Sequence, residues 1–287
     1  MTDTALNILL IGAHPDDCEL LAGGYAARMT KRGHQVRLLS MTDGSRGHYA
    51  LAPQELIPIR RAEAQAAADL IGAESEVLSY RDGQLMPELE TREYLIRYIR
   101  TYAPDLIITH RPNDYHPDHR YTSLLVQDSA FLLGVPGICP ETPVPARTPH
   151  ILFFQDRFLK PPFQPDIVIS IDETFETRMA MVAQHASQVF DWLAWLDGNL
   201  DEIPESDEDR LRWLRGTYDG DRKTDVMDRE DRRGAKGRND LAKRYRSQLV
   251  ARYGEAGQDV QFCEAFEISE YGAPVDEAAL ARLFPDL

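Results

Sequence analysis

Two short, continuous apolar runs do most to restrict what this 287-residue chain can fold into, Asn7 to Gly12 (NILLIG) and Asp105 to His110 (DLIITH), and Gln35 to Met41 (QVRLLSM) reads as a strand between them. A strand that is apolar on both sides of the pleat has to be covered on both faces, which an antiparallel sheet open to water does not do. Helical patterns separate the runs, from Cys18 to Arg32 with Gly33 as a stop, Pro53 to Leu70 stopped near Gly72, Glu88 to Tyr102, and His119 to Leu133. Glu76 to Tyr80 fits a further strand. Strand and helix in alternation, joined by right-handed crossovers, predict an α/β fold: a doubly wound, mostly parallel sheet with helices on both faces. Such sheets bind ligands beyond the carboxyl ends of their strands, so the loops after Ile11, Met41 and His110 are where chemistry is expected.

Past Pro136 the pattern loosens. Pro140 to Pro149 reads as a loop, His150 to Phe154 and Asp166 to Ile171 as strands, Asp172 to Trp195 as one long helix, and residues 260–270 (VQFCEAFEISE) as a final edge strand. Residues 1–287 are read as a single domain, with the charge-dense residues 197–245 a helical insertion or lid within it. The formal net charge of −15 argues against nucleic acid and anionic membranes as partners and favours a neutral or cationic small molecule. The three cysteines, Cys18, Cys139 and Cys263, show no CxxC spacing, and the N-terminus lacks a basic leader, so a soluble cytoplasmic protein is expected. Homo-oligomerisation is left open.

Two clusters fall on the loops singled out above. Ala13-His14-Pro15-Asp16-Asp17-Cys18-Glu19 follows the first strand, and His116-Pro117-Asp118-His119 follows the strand ending at His110. Imidazole with carboxylate suits a divalent transition ion, zinc most commonly. His14 and Asp17 are three residues apart and share a face of a helical turn, and His119 supplies a third ligand from the other loop. Three protein ligands leave a position for water, as a catalytic site requires. Asp16 is then the candidate general base, His116 the candidate donor to an oxyanion and a leaving nitrogen, and Asp118 the residue expected to orient His116 and favour its charged form. Two histidines and a carboxylate also describe non-heme iron oxygenases, but those sites usually sit in β-barrels, which this α/β pattern does not suggest.

The two clusters resemble the signatures of the LmbE-like, or PIG-L, de-N-acetylases, A-H-P-D-D-x-E followed by two glycines (here Gly23 and Gly24) and H-P-D-H. Thr42-Asp43-Gly44, Arg60 and Glu63, His185-Ala186-Ser187-Gln188 and Glu264-Ala265-Phe266 match weaker features of the family. The resemblance implies a Rossmann-like fold and a hydrolase with one zinc per chain, iron being the alternative, that removes N-acetyl from glucosamine-containing small molecules. It implies His14, Asp17 and His119 as metal ligands, Asp16 as base, and His116 backed by Asp118 as stabiliser of the tetrahedral intermediate.

With such a substrate, Arg46, Arg60 and Asp114 become candidate substrate-binding residues, Arg46 for a hydroxyl or an anionic substituent and Asp114 for a sugar hydroxyl. Arg60 and Glu63 are also placed to pair across a helix turn. His185 is expected either near the site or packed in its helix, and Trp192, Trp195 and Trp213 either under a sugar or in the core. The competing readings are an amidase for another small amide conjugate and a non-catalytic module that binds a metal or a sugar.

Overall fold

A computed structural model describes residues 5–156, 158–216 and 241–285. Its centre is a seven-stranded sheet in the order β3-β2-β1-β4-β5-β7-β6. The strands are β1 (Asn7–Gly12), β2 (Gln35–Thr42), β3 (Glu74–Tyr80), β4 (Leu106–Thr109), β5 (His150–Phe154), β6 (Ile167–Ser170) and β7 (Cys263–Ile268). β1 to β5 pair in parallel, and β7 runs antiparallel to both of its neighbours. The α/β, doubly wound, mostly parallel architecture expected from the apolar runs is the architecture found.

Alternation along β1 divides the core into two layers. Ile8 and Leu10 point to the face covered by α1 (Asp17–Lys31), α2 (Pro53–Asp69) and a later helix, here α5 (Phe175–Gln184), meeting Tyr25, Ala67 and Met179. Leu9 and Ile11 point to the other face, where α3 (Leu89–Tyr102) and α4 (Pro117–Leu132) present Ile96, Ile99, Leu125 and Val126. Each such fully buried Leu or Ile contributes about 2 kcal/mol, which is why strands apolar on both sides need helices on both sides.

Two braces set the helices that carry the site. In α1 the backbone departs from helical values at Ala22, and the buried carboxylate of Glu264 accepts the Gly24 and Tyr25 amides at 2.9 and 2.8 Å. Gly24 also has to be glycine, since a Cβ there would lie 2.8 Å from Ile171 Cγ2. At the far end of α4, the buried Arg100 guanidinium donates to the carbonyls of Leu132, Leu133, Val135, Ile138, Cys139 and Thr142 at 2.7–3.1 Å. Arg100→Met strands those acceptors and is expected to lower the unfolding free energy by about 3 kcal/mol. Urea unfolding checks this, with the midpoint falling and the slope unchanged.

Three expectations are corrected. The segment 260–270 does not form an edge: β7 lies between β5 and β6, because its residues Cys263 to Phe266 are buried and pair on both sides. The helix expected from Asp172 to Trp195 is broken. α5 ends at Gln184, a π-helical turn spans Ser187–Trp192, and α6 covers Leu193–Asp197. Glu63 supplies the reason: it takes the Ser187 amide at 2.7 Å and the Ser187 hydroxyl at 2.6 Å, diverting an N–H that a continuous helix would use itself. Glu63 therefore anchors Ser187 and does not pair with Arg60.

Of the charge-dense stretch, α7 (Asp207–Arg215) sends Trp213 and Leu214 into the core, and α8 (Leu241–Arg244) packs Leu241 and Ala242 against β6 and β7. The remainder of the expected insertion or lid, residues 217–240, lies outside the described residues. Cys18, Cys139 and Cys263 are all free and buried. Among the described residues no helix is long and apolar enough to cross a membrane.

Candidate active site

The chain leaves β1 toward β2 on one side, while β4 lies on β1's other side. That reversal opens a crevice beyond the carboxyl ends of β1 and β4, the place where doubly wound sheets bind ligands. The loop after β1 and the first residue of α1 carry His14 to Asp17, and the loop after β4 with the first turn of α4 carries His110 to His119.

Local backbone chemistry shapes the first loop. Asp17 Oδ2 accepts the amides of Ala13 and His14 at 2.9 and 2.7 Å, folding the chain back over the end of β1. Asp16 has φ 133°, a conformation rare for any residue but glycine, and it occupies the position just before α1 without its side chain capping the helix. Neither aspartate is spent on the cap. Burial opposes the charge on Asp17, but His119, His110 and His14 outweigh it and hold the carboxyl well below the usual range.

Three residues approach one another pairwise here, Asp17 meeting the two imidazoles through different carboxylate oxygens. His14 Nδ1 lies 3.4 Å from Asp17 Oδ2, His119 Nε2 lies 3.2 Å from His14 Nδ1, and His119 Nε2 lies 3.5 Å from Asp17 Oδ1. Ligands about 2.0–2.1 Å from a tetrahedral ion sit roughly 3.3 Å from one another, so this spacing fits a divalent transition ion. The outward ring nitrogens are held by carboxylates. His14 Nε2 is 3.3 Å from both Asp118 Oδ2 and Asp82 Oδ1, and His119 Nδ1 is 3.0 Å from Asp114 Oδ1. Carboxylates in that position fix the imidazole tautomer and turn the other nitrogen inward. With one donor atom taken from each residue, the sets whose atoms all lie within 4.8 Å of one another are Asp17–His110–His119, His14–His116–His119 and His14–Asp82–Asp118 among the described residues.

Asp16 is 4% exposed, and among the described residues no hydrogen bond holds its carboxylate. Burial raises its pKa to about 6, with Asp17 adding to the rise and Arg60, His185 and His14 opposing it. His116 Nδ1 accepts the Asp118 amide at 3.2 Å, which leaves the proton of the neutral ring on Nε2. Its ring sits edge-on to His14, with centroids 4.6 Å apart.

The structure redistributes several expected roles. The Asp118 carboxylate does not orient His116. It accepts the Gly83 and Leu85 amides at 2.7 and 3.2 Å and faces His14. Nor is His116 held in its charged form, because burial, His14 and His119 pull its pKa down to about 4. Asp114 is not open to a sugar hydroxyl: it is taken up by His119 Nδ1 and by the His116 amide at 3.0 Å. Arg60, 2% exposed, donates to Gly44 O at 3.4 Å and Pro15 O at 3.3 Å, clamping two site loops together. Arg46 alone of the three candidate substrate residues is exposed, at the rim, its amide donating to Asp82 Oδ2 at 2.9 Å. His185 is fully buried with Nε2 3.1 Å from Glu19.

Sequence reasoning passed over His110, Asp82 and Arg111. His110 Nε2 is 3.2 Å from Asp17 Oδ2, and its ring stacks on His119 with centroids 4.0 Å apart. Arg111 pins the loop after β5 by a two-pronged pair with Asp156 at 3.0 and 2.8 Å. A histidine at the carboxyl end of a buried parallel strand was a usable signal for His110. Asp82 follows β3 with nothing local to mark it.

A doubly wound α/β sheet with a converging histidine–carboxylate cluster at its switch point defines an α/β protein with a candidate metal-dependent active site. Residues 9–130, somewhat less than half of the chain, match the PIG-L family, described as GlcNAc-PI de-N-acetylase. The chain is 27% identical over 196 residues to diacetylchitobiose deacetylase of Thermococcus kodakarensis, a match covering 66% of this chain and 73% of that protein. It is 24% identical over 192 residues to 4-oxalmesaconate hydratase of Pseudomonas putida, covering 64% and 74%. The structure of N,N'-diacetylchitobiose deacetylase from Pyrococcus horikoshii superposes with a TM-score of 0.65 at 23% identity, covering 93% of this chain and 85% of that one.

Proposed function

We propose that this chain is a metal-dependent N-deacetylase, with zinc as the ion, acting on an N-acetylglucosamine-type small molecule or conjugate. His14, Asp17 and His119 hold the ion, Asp16 is the general base, and His116 donates a hydrogen bond to the developing oxyanion. The carrying observation is the 3.2–3.5 Å convergence of His14, His119 and Asp17 beside the buried carboxylate of Asp16.

When bound, a divalent ion acidifies water and polarises an amide carbonyl. The chain's own residues handle the protons. Water adds to the acetamido carbon, and its proton passes to Asp16, whose pKa of about 6 leaves it mostly ionised at neutral pH. The His116 Nε2–H meets the oxyanion as a neutral donor, worth roughly 3–4 kcal/mol in a site of this kind. Protonated Asp16 then returns the proton to nitrogen as the C–N bond breaks, giving acetate and a free amine. Asp118, Asp82 and Asp114 position the two ligand imidazoles, and Arg46 is the rim residue left to meet substrate.

The hydratase relative supplies the second reading, since water addition to a double bond uses similar proton transfers. Acetate release from N-acetylglucosamine, N,N'-diacetylchitobiose and inositol or malate conjugates, before and after chelation and zinc re-addition, separates the two. Release that is lost on chelation and restored by zinc is expected. Zinc-loaded protein that releases no acetate from any of them, but hydrates an unsaturated dicarboxylate, overturns the proposal.

A further inference from the structure

His110 has no part in the chemistry set out above, yet it touches two of the three proposed metal ligands. It is the first residue past β4 and is buried. Its Nε2 lies 3.2 Å from Asp17 Oδ2 and 3.1 Å from the Ala13 amide nitrogen. Its ring lies on that of His119, with centroids 4.0 Å apart and planes 17° from parallel. Phe154, at the end of β5, meets the His110 ring edge-on at 5.4 Å, and the next residue, Arg111, is tied to Asp156. A neighbouring strand, a neighbouring ring and an ion pair thus hold this imidazole in place.

The Ala13 amide has a nearer acceptor in Asp17 Oδ2, at 2.9 Å, and two lone pairs facing each other at 3.2 Å would repel. The tautomer that satisfies both groups puts the proton on His110 Nε2, which donates to Asp17 Oδ2 and has no lone pair to offer an ion. Oδ2 then takes three donors, the Ala13 and His14 amides and His110. Oδ1 accepts no hydrogen bond among the described residues and faces His119 Nε2 at 3.5 Å. The carboxylate is held by one oxygen and presents the other. His119 has a different freedom left. Its 3.0 Å contact with Asp114 at Nδ1 tolerates rocking of the ring about χ2, which swings Nε2, and a parallel ring at 4.0 Å blocks that motion on one face.

We infer that His110 is a positioning residue of the metal site. Its Nε2–H anchors Asp17 through Oδ2, and its ring face holds the plane of His119, so that Asp17 Oδ1 and His119 Nε2 are presented together. The inference rests on the ligand set of the proposed function and not on the choice of substrate. It also gives Arg111 a place in the site: pinned to Asp156, it fixes the backbone from which the His110 ring projects.

The test is the zinc affinity of the full chain, stripped of metal and titrated in competition with a chromogenic chelator. Wild type, His110→Ala, His110→Phe and His110→Gln are compared. Phenylalanine keeps the stack and loses the nitrogen, whereas glutamine keeps a nitrogen at the reach of Nε2 and loses the stack. His110→Ala is expected to bind zinc about 10–100-fold more weakly, the usual effect of removing the outer support of a ligand, and the other two each to recover part of that loss. Urea unfolding of the metal-free proteins separates this from a folding defect, and His110→Phe and His110→Gln carry the test if His110→Ala does not fold. Wild-type zinc affinity in every variant that folds overturns the inference. So does an equal loss in all of them that follows the fall in unfolding midpoint, which makes His110 a packing residue. X-ray absorption of the zinc-loaded wild type that shows an imidazole ligand missing from His110→Gln overturns it too, by making His110 a ligand. The expected affinities in a protein that releases no acetate keep the inference and remove the deacetylase reading alone.

Discussion

Asp16→Asn is expected to cut acetate release by about 10²–10⁴-fold while zinc content stays at the wild-type level, the range set by loss of general-base catalysis. The substitution keeps the shape of the side chain and removes its basicity. The metal ligands are untouched, because no hydrogen bond among the described residues ties Asp16 to them. Folding is also expected to survive. The carboxyl is buried with a raised pKa and does not cap α1, so a neutral amide relieves desolvation without deleting a contact. The measurement is zinc per chain by elemental analysis beside kcat for acetate release. A variant that turns over at the wild-type rate would show that another group takes the proton.

The second large effect concerns the ion itself. Asp17→Asn is expected to leave the purified protein essentially free of zinc and without acetate release, and added zinc should not restore it. Asp17 contributes the one carboxylate of the proposed ligand set, and its charge is what His119, His110 and His14 are gathered around. An amide oxygen can still accept the Ala13 and His14 amides, so the loop should keep its shape while the anion is gone. Asp118→Asn is the control. It weakens the support of His14 and takes the acceptor from one of the Gly83 and Leu85 amides without touching a proposed ligand, and the expected loss of metal affinity is about 10–100-fold. Wild-type zinc affinity in Asp17→Asn would show that the ion sits among His14, His116 and His119, the histidine triplet that shares the pocket.

Much of this was legible in one dimension. Runs apolar on both sides of the pleat demand a covered parallel sheet, and that alone placed His14, Asp17, His116 and His119 at one rim. The carboxylates that hold the outward nitrogens of the imidazoles were harder to read. Asp118 lies one residue from His119 but faces His14, because the turn opening α4 points the carboxylate back across the crevice to the amides of Gly83 and Leu85. Arg60 looked like a substrate contact, and burial against Pro15 and Gly44 makes it a clamp.

Periodicity and the adjacency of unlike residues are local properties, so the chain alone determined the α/β class, the two loops that matter and the residue types that meet there. Which carboxylate serves which imidazole is set by separations of about an ångström between groups up to 104 positions apart, as with His14 and Asp118. So are the insertion of β7 between β5 and β6 and the break after Gln184, the latter made by one distant glutamate claiming a helical amide. No local pattern encodes those choices, because the competing partners are brought within hydrogen-bonding range only once the sheet and its helices have packed.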